Sequence, residues 1–291
     1  MTSYETLDYS VEDGILTLTL DRPEAMNSFT VTMANELEAA YIRASADDEV
    51  KAIVVTGRGK AFCAGMDLSR EGNVFGLDET MQPTMADVIE RPDDPAILQG
   101  VRDTGGRVSL AVYNCTKPVI AAINGAAVGI GATMTLPMDF RIASERARIG
   151  FVFGRLGIVP EACSTWFLPR VVGLGKALEL VYSAEILDAQ QALDAGLVRE
   201  VVPEDELLPT AYALARRFVD NKSPVATALM RQMLYRNSAA RSPLEAHQVE
   251  SLAMFYTSIG DGKEGVAAFL EKRPTEFTST TSTDMPPFYP W

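Results

Sequence analysis

The stretch GIVPEACSTW, residues 157 to 166, sets one acidic side chain, Glu161, between a proline and a run of small residues, with Trp166 beyond. A carboxylate there has two readings: a general base, or a residue that favours the start of a helix over Ala162–Leu168 through the helix dipole. Two glycine-rich segments, AFCAGMDL (61 to 68) and NGAAVGIGATM (124 to 134), lie where a strand gives way to a helix. Glycine at such places lets bare backbone N–H groups approach a ligand closely. Two edges of this kind facing each other would make an oxyanion hole, in which each donor is worth roughly 2.7 to 4 kcal/mol. Chemistry at a carbonyl group follows. The competing reading, glycines needed only for turns and packing, is weakened because both segments occur in successive βα units.

Other chemistries find less support. GAAVGIG has the wrong spacing for a dinucleotide fingerprint, and neither GRGKA (57 to 61) nor GLGKA (173 to 177) fits a phosphate-binding GxxxxGK[ST] loop. The three cysteines, Cys63, Cys115 and Cys163, are widely spaced with no CxxC, so neither a disulfide framework nor a metal site is expected. Cys63 and Cys163 flank the candidate site, but His247, the one histidine, lies far along the chain in an amphipathic stretch. With no histidine to activate a thiol, both cysteines read as packing residues. The net charge of -13 disfavours nucleic acid, which needs a basic face. Any anionic ligand must be held by local cations.

The elements that must position these groups follow from the hydrophobic pattern. At 47% hydrophobic and 22% charged, the 291 residues have the composition of a folded domain with a sizeable core. No apolar run reaches the roughly 18 residues of a membrane span. The acidic start, MTSYETLDYSVEDG, is unlike a signal or transit peptide, so a cytoplasmic protein is expected. YETLDYSVEDG and ILTLTLDR read as a hairpin, Thr30–Ala46 as a helix, AIVVTG (52 to 57) as a buried strand, and VIAAINGAAVG as a strand running into a helix from Gly129 to Met138. DFRIAS and ARIGF add strands. Strand and helix alternate to about Val202, which sets a core of residues 1–202. Residues 203–291 read as successive amphipathic helices and a tail. Residues 69 to 100 form an acidic stretch longer than most loops, either a lid or a solvated insertion. The tail ends in Phe288, Tyr289 and Trp291, which suit docking on another surface.

Over nearly its whole length the chain resembles the crotonase, or enoyl-CoA hydratase/isomerase, superfamily. The resemblance rests on RPEAMNSF, VVTGRGKAFCAGMDL, KPVIAAINGAAVGIGATMTLPMDFRIASERARIGF, LGIVPEACSTWFLPRVVG and AEILDAQQALDAGLVREVVPEDEL, standing in that order. It implies an α/β fold, a spiral of repeated ββα units with a helical carboxy-terminal trimerisation region. It also implies a coenzyme A thioester as substrate, no separate cofactor, and a homotrimer or dimer of trimers.

Residue by residue, the resemblance puts the oxyanion donors on the backbone N–H groups of Met66 and Ile130. It puts the coenzyme A contacts at Arg22, Ala25, Lys60, Ala64, Lys272 and Arg273, the last two on a helix supplied either by the same chain or by a neighbouring subunit. The two glutamates that position water in typical hydratases align with Thr133 and Phe153, neither of which can take a proton. These two, with Trp166, are expected to line the acyl pocket. A single catalytic glutamate in a context similar to LGIVPEACS occurs in peroxisomal-type enoyl-CoA isomerases, which points to Glu161. Burial beside Trp166, Phe153 and Ile158 should raise its pKa. Isomerisation is therefore the leading expectation. The alternatives are hydration with Glu161 alone, and an acyl-CoA-binding protein without catalysis. Asp67 is expected to cap a helix after Met66.

Overall fold

The computed structural model describes residues 4–69 and 72–291. It opens on a hairpin of β1 (Leu7–Glu12) and β2 (Ile15–Leu20), turned by Asp13 and Gly14, both with positive φ. Further strands are β3 (Ala52–Gly57), β4 (Ala61–Cys63), β5 (Val119–Ile123), β6 (Ala126–Val128), β7 (Phe140–Ser144), β8 (Arg148–Gly150), β9 (Ile186–Asp188) and β10 (Glu200–Val202). They form a six-stranded sheet in the order β1-β2-β3-β5-β7-β10 and a four-stranded sheet in the order β4-β6-β8-β9. Only the β1–β2 and β8–β9 pairs are antiparallel.

The chain alternates between the sheets. β3, β5 and β7 each hand over, through a short corner, to β4, β6 and β8 in the other sheet, which is the ββ half of a ββα spiral. The corners are stacked and stitched by small polar residues. Asn27 donates to the carbonyls of Arg58 (2.9 Å) and Ala61 (2.8 Å), Asn124 donates to Gly59 (3.0 Å), and Ser144 donates to Asn124 (2.9 Å). A methyl group on Gly125 would lie 2.0 Å from the Lys60 carbonyl oxygen, so only glycine lets these corners approach.

The expected helix from Thr30 is Val31–Ala46, with the Thr30 hydroxyl accepting the Met33 N–H (3.1 Å) and Met33, Leu37, Ala40 and Tyr41 buried. It packs on the helix Thr104–Asn114, which the hydrophobic pattern did not reveal. The predicted helix Gly129–Met138 is shorter: GAAVG supplies β6, and only Ile130–Thr133 is helical before turns lead into β7. Residues 69 to 100 are not all irregular, since Met85–Glu90 and Pro95–Gly100 are short helices capped by Thr84 and Asp94. Arg70 and Glu71 of this stretch lie outside the described residues.

Four helices follow Val202: Leu207–Val219, Pro224–Asn237, Pro243–Ile259 and Asp261–Glu271. The first covers the large sheet, its Leu207, Ala211 and Leu214 packing on Ile15, Val54, Ile120 and Ile142. It shares a core with the strands although it lies beyond residue 202. The aromatic tail docks as expected, with Phe288, Tyr289 and Trp291 against Val225, Leu229 and Ala253. Its threonines are held too: Thr281 is buried and accepts a hydrogen bond from Lys117 Nζ at 2.7 Å. No described helix is long and apolar enough to cross a membrane. Among the described residues no group of three or more His, Cys, Asp or Glu could hold a metal ion.

Candidate active site

β4 and β6 are parallel neighbours, so the residues that follow them emerge at the same end. After β4, Gly65 takes φ +115°, and a methyl group there would lie 3.3 Å from the Val128 carbonyl oxygen. After β6, Gly129 takes φ 56° and ψ −122°, and a methyl group on Gly131 would lie 2.0 Å from the Cys63 carbonyl oxygen. The two glycine-rich segments are thus in backbone contact. The Gly65 carbonyl accepts Phe29 N–H (2.8 Å) and the Asp67 N–H donates to Phe29 (2.9 Å), which leaves the intervening Met66 N–H without a backbone partner among the described residues. Ile130, first residue of its short helix, likewise has an N–H with no backbone acceptor, as expected at a helix start. Both expected donors are therefore free and carried by adjoining segments.

Glu161 comes to this place from the opposite direction. Its Oε1 accepts a hydrogen bond from the Thr133 hydroxyl at 2.7 Å. A methyl group on Gly105 would meet Glu161 Oε2 at 2.1 Å and Ile130 Cδ1 at 2.5 Å, so both side chains rest against the Gly105 backbone. Removal from water pushes the Glu161 carboxyl up to about 8, with the Thr133 hydroxyl opposing the shift and the nearby negative charge of Asp103 adding to it. No cation pairs with it among the described residues. A carboxyl group so placed can hold or give up a proton near neutrality.

The helix-start reading fails on geometry. Helix Ser164–Val172 begins three residues after Glu161, and both Ala162 (φ 58°) and Cys163 (φ 56°) stand between them in the left-handed region. Only the backbone carbonyl of Glu161 meets that helix, accepting the Ser164 N–H at 3.0 Å. The side chain points to Thr133 instead.

Thr133 is fully buried and touches Glu161, and Phe153 is buried at the 3-10 turn Val152–Leu156. Trp166 packs against the core that holds Ile130 and Phe153, with Tyr113 (5.9 Å between ring centroids), Phe167 (4.6 Å) and the Arg170 guanidinium on its face (3.7 Å). The Glu161 carboxyl itself meets the Thr133 hydroxyl and the Gly105 backbone. Burial pushes the Cys63 thiol up to about 12 and also raises that of Cys163, which disfavours a thiolate nucleophile.

The expected cation cluster is only partly assembled. Arg22, Ala25 and Ala64 share one edge with Met66, because Ala64 N–H donates to the Met26 carbonyl (3.1 Å) and Arg22 pairs with Asp67 (2.9 Å). Ser69 and Arg22 together hold the Asp67 carboxyl down at about 2, and Asp67 caps no helix, since a turn follows Met66. Lys60 is exposed at the β3–β4 corner. Lys272 and Arg273 close the helix Asp261–Glu271, where the Arg273 fork already binds both oxygens of Glu264 (2.6 and 2.8 Å). No ion pair or hydrogen bond among the described residues joins them to the Arg22–Lys60 edge. Arg22 and Arg273 are thus each paired with a carboxylate of the same chain, Asp67 and Glu264.

Two residues near Glu161 were missed in the sequence: Asp103 and Gly105, in DTGG (103 to 106). The available signal was a helix-capping aspartate followed by two glycines in the first turn, a costly start unless something approaches closely.

Comparison with known proteins agrees with the architecture. Residues 10–280 match the family described as enoyl-CoA hydratase/isomerase. The chain is 42% identical to the enoyl-CoA hydratase ACTT3 of Alternaria alternata, covering 92% of this chain and 84% of that one. It is 35% identical to the 1,2-epoxyphenylacetyl-CoA isomerase of Escherichia coli K12, covering 92% and 96%. The crystal structure of an enoyl-CoA hydratase from Bacillus anthracis superposes with a TM-score of 0.79 at 30% identity, covering 94% and 99%. With strands that pass from sheet to sheet and backbone donors at the ends of β4 and β6, the chain is an enzyme of the enoyl-CoA hydratase/isomerase family, with the crotonase fold.

Proposed function

We propose that the enzyme shifts a double bond in an enoyl-CoA thioester, with Glu161 as the single acid/base. The observation that carries this reading is the water-shielded Glu161 carboxyl beside the Ile130 turn, with no cation paired to it among the described residues; the family resemblance, which implies Thr133 and Phe153 in place of the hydratase glutamates, supports it. The thioester oxygen accepts hydrogen bonds from the Met66 and Ile130 N–H groups. Ionised Glu161 removes a proton from the α carbon of a 3-enoyl chain, and the electron pair becomes a dienolate held by the two donors. Protonated Glu161 then returns the proton at the γ carbon, leaving the 2-enoyl thioester. One base serves both steps, and neither water nor another cofactor is consumed.

The coenzyme A portion runs along the Arg22, Ala25, Lys60 and Ala64 edge. Lys272 and Arg273 reach it from a neighbouring subunit of a homotrimer. Phe255, Phe269 and Leu270, which are 57%, 82% and 73% exposed on the last two helices, support such an assembly.

Hydration is the second reading, favoured by relatives named hydratases. Incubation with 3-enoyl-CoA and 2-enoyl-CoA esters separates the two by product. In the Glu161→Gln variant turnover is expected to fall by about 100-fold to 10,000-fold while affinity for the ester changes little. A 3-hydroxyacyl product from the native enzyme selects hydration. Tight ester binding with no turnover selects a binding protein, and full activity of the variant removes Glu161 as the base.

A further inference from the structure

Two residues outside the expected site, Asp103 and Gly105, meet Glu161 or the turn that follows it. Asp103 caps the helix Thr104–Asn114 through a hydrogen bond accepted from the Gly106 N–H. The same oxygen, Oδ1, accepts the Ala162 N–H at 3.1 Å. Ala162 and Cys163 both hold left-handed backbone, a strained conformation for such residues that persists only where its surroundings enforce it. A methyl group on Gly105 would displace Glu161, and one on Gly106 would lie 2.8 Å from Asp103 Oδ2. Both glycines weaken the helix start relative to alanine.

We infer that Asp103 is the positioning residue for Glu161: its carboxylate fastens the turn after Glu161 to the start of the helix Thr104–Asn114, and Gly105 leaves the seat that the Glu161 carboxyl fills. The inference rests on reading Glu161 as the base. Asp103 touches no reacting atom and acts in two ways. Through Ala162 it fixes the direction in which the Glu161 side chain leaves the chain. Through its charge it opposes ionisation of Glu161 and so makes the carboxylate a stronger base. The groups around Glu161 are few. Asp103 is the charged one, from the helix start; the Thr133 hydroxyl comes from the Ile130 turn, Cys63 from the end of β4 and Cys163 from its own turn, with Arg102 acting on Cys163. Asp103 is itself exposed, so its charge is screened and its effect is moderate.

Two variants separate geometry from charge. Asp103→Asn keeps an oxygen that can accept both N–H groups and loses the charge. Asp103→Ala loses both. In Asp103→Asn the rising limb of kcat/KM is expected to move to lower pH, by about half to one pH unit. In Asp103→Ala kcat should fall by about 10-fold to 100-fold with KM for the ester little changed, because a misdirected base affects the chemical step more than binding. Asparagine should recover part of that loss. Gly105→Ala, which leaves both hydrogen bonds in place, should lower kcat by a similar factor. The inference is overturned if Asp103→Asn leaves the pH limb in place, or if both Asp103 variants lose only thermal stability, as for a simple helix cap. Should Asp103→Ala fail to fold, the pH limb of Asp103→Asn and the kcat of Gly105→Ala still decide. Glu161→Gln keeps the two levels apart. An active Glu161→Gln enzyme overturns the base assignment, whereas an inactive one beside native-like Asp103 and Gly105 variants overturns this inference alone.

Discussion

Asp139 and Glu161 are both carboxylates drawn in from the surface, and the protein treats them in opposite ways. Asp139 is given every partner it can use. Arg231 Nε donates to both its oxygens (3.0 Å each), Tyr235 OH to one (2.9 Å) and the Val119 N–H to the other (2.8 Å). Arg231 spends its remaining donors on the carbonyls of Val112, Tyr113 and Cys115. Glu161 is given one hydroxyl, a glycine backbone and the neighbouring charge of Asp103. The first arrangement ties the helix Pro224–Asn237 to the core and leaves no free valence. The second holds a side chain in place while leaving its proton negotiable. A completely satisfied buried carboxylate secures structure, and an under-satisfied one is available for chemistry.

The largest effect is expected from breaking the Asp139 cluster. Arg231→Met leaves Asp139 without its cation and takes one donor each from the carbonyls of Val112, Tyr113 and Cys115, which keep the Cys115 N–H or Gln232 Nε2, and should cost about 3–5 kcal/mol of stability. Denaturant melts measure this, and activity per folded molecule should survive. A loss below about 1 kcal/mol, the range of a surface ion pair, would erase the contrast.

The second prediction concerns pH, and its sign follows from the raised pKa. The Glu161 carboxyl titrates near 8 in the folded protein against 4.5 when free, so between these values the folded state holds a proton that the unfolded state has lost. Stability contributed by the protonated form is therefore present below about 4.5 and is lost as pH rises towards 8. Glu161→Gln removes this slope and should be more stable than the native protein at pH 8, by roughly 1–3 kcal/mol. Melting both proteins between pH 5 and pH 8.5 tests it. The same substitution at Asp139 has a cation to offend and should destabilise.

The smallest effect belongs to Thr133→Val, which keeps the shape and removes the hydrogen bond that favours ionised Glu161. The rising limb of kcat/KM should move to higher pH, with about a 10-fold loss at pH 7, equal to about 1.4 kcal/mol. An unmoved limb would show that the hydroxyl serves its backbone carbonyls at Gly129 and Ile130 instead.

These two carboxylates also show what the sequence makes legible. The hairpin, the helix after Thr30, β3, β5, β7 and the late helices follow from apolar spacing, because each buries one continuous face. The four-stranded sheet is harder to see, since β4, β6, β8 and β9 are three residues each. Of these β8, in ARIGF, is expected from the sequence; the others carry too little alternation to register, and GAAVG reads as a glycine-rich link before the helix rather than as β6. Glu161 was findable from its motif. Its seat was not, because Asp103 lies 59 positions before Ala162, and no local pattern reports a carboxylate that meets a distant N–H. The left-handed turn was equally hidden, since alanine and cysteine give no warning of positive φ.

The corners that carry β3 into β4 and β5 into β6 make the two proposed oxyanion donors equivalent points of successive turns of one spiral. What they offer a substrate is written in main-chain amides, which every residue but proline possesses. Such a feature is nearly immune to drift in its own side chains: methionine at 66 and isoleucine at 130 donate as glycine would. Its vulnerable letters are elsewhere, at Gly65, Gly125 and Gly131, where the corners and loops touch. Inheritance of the electrophilic half of the site therefore needs only those spacers, while the proton-handling half is free to be re-sited on another loop. A lineage built this way can change the reaction it performs by relocating one carboxylate, without rebuilding the place where the carbonyl binds.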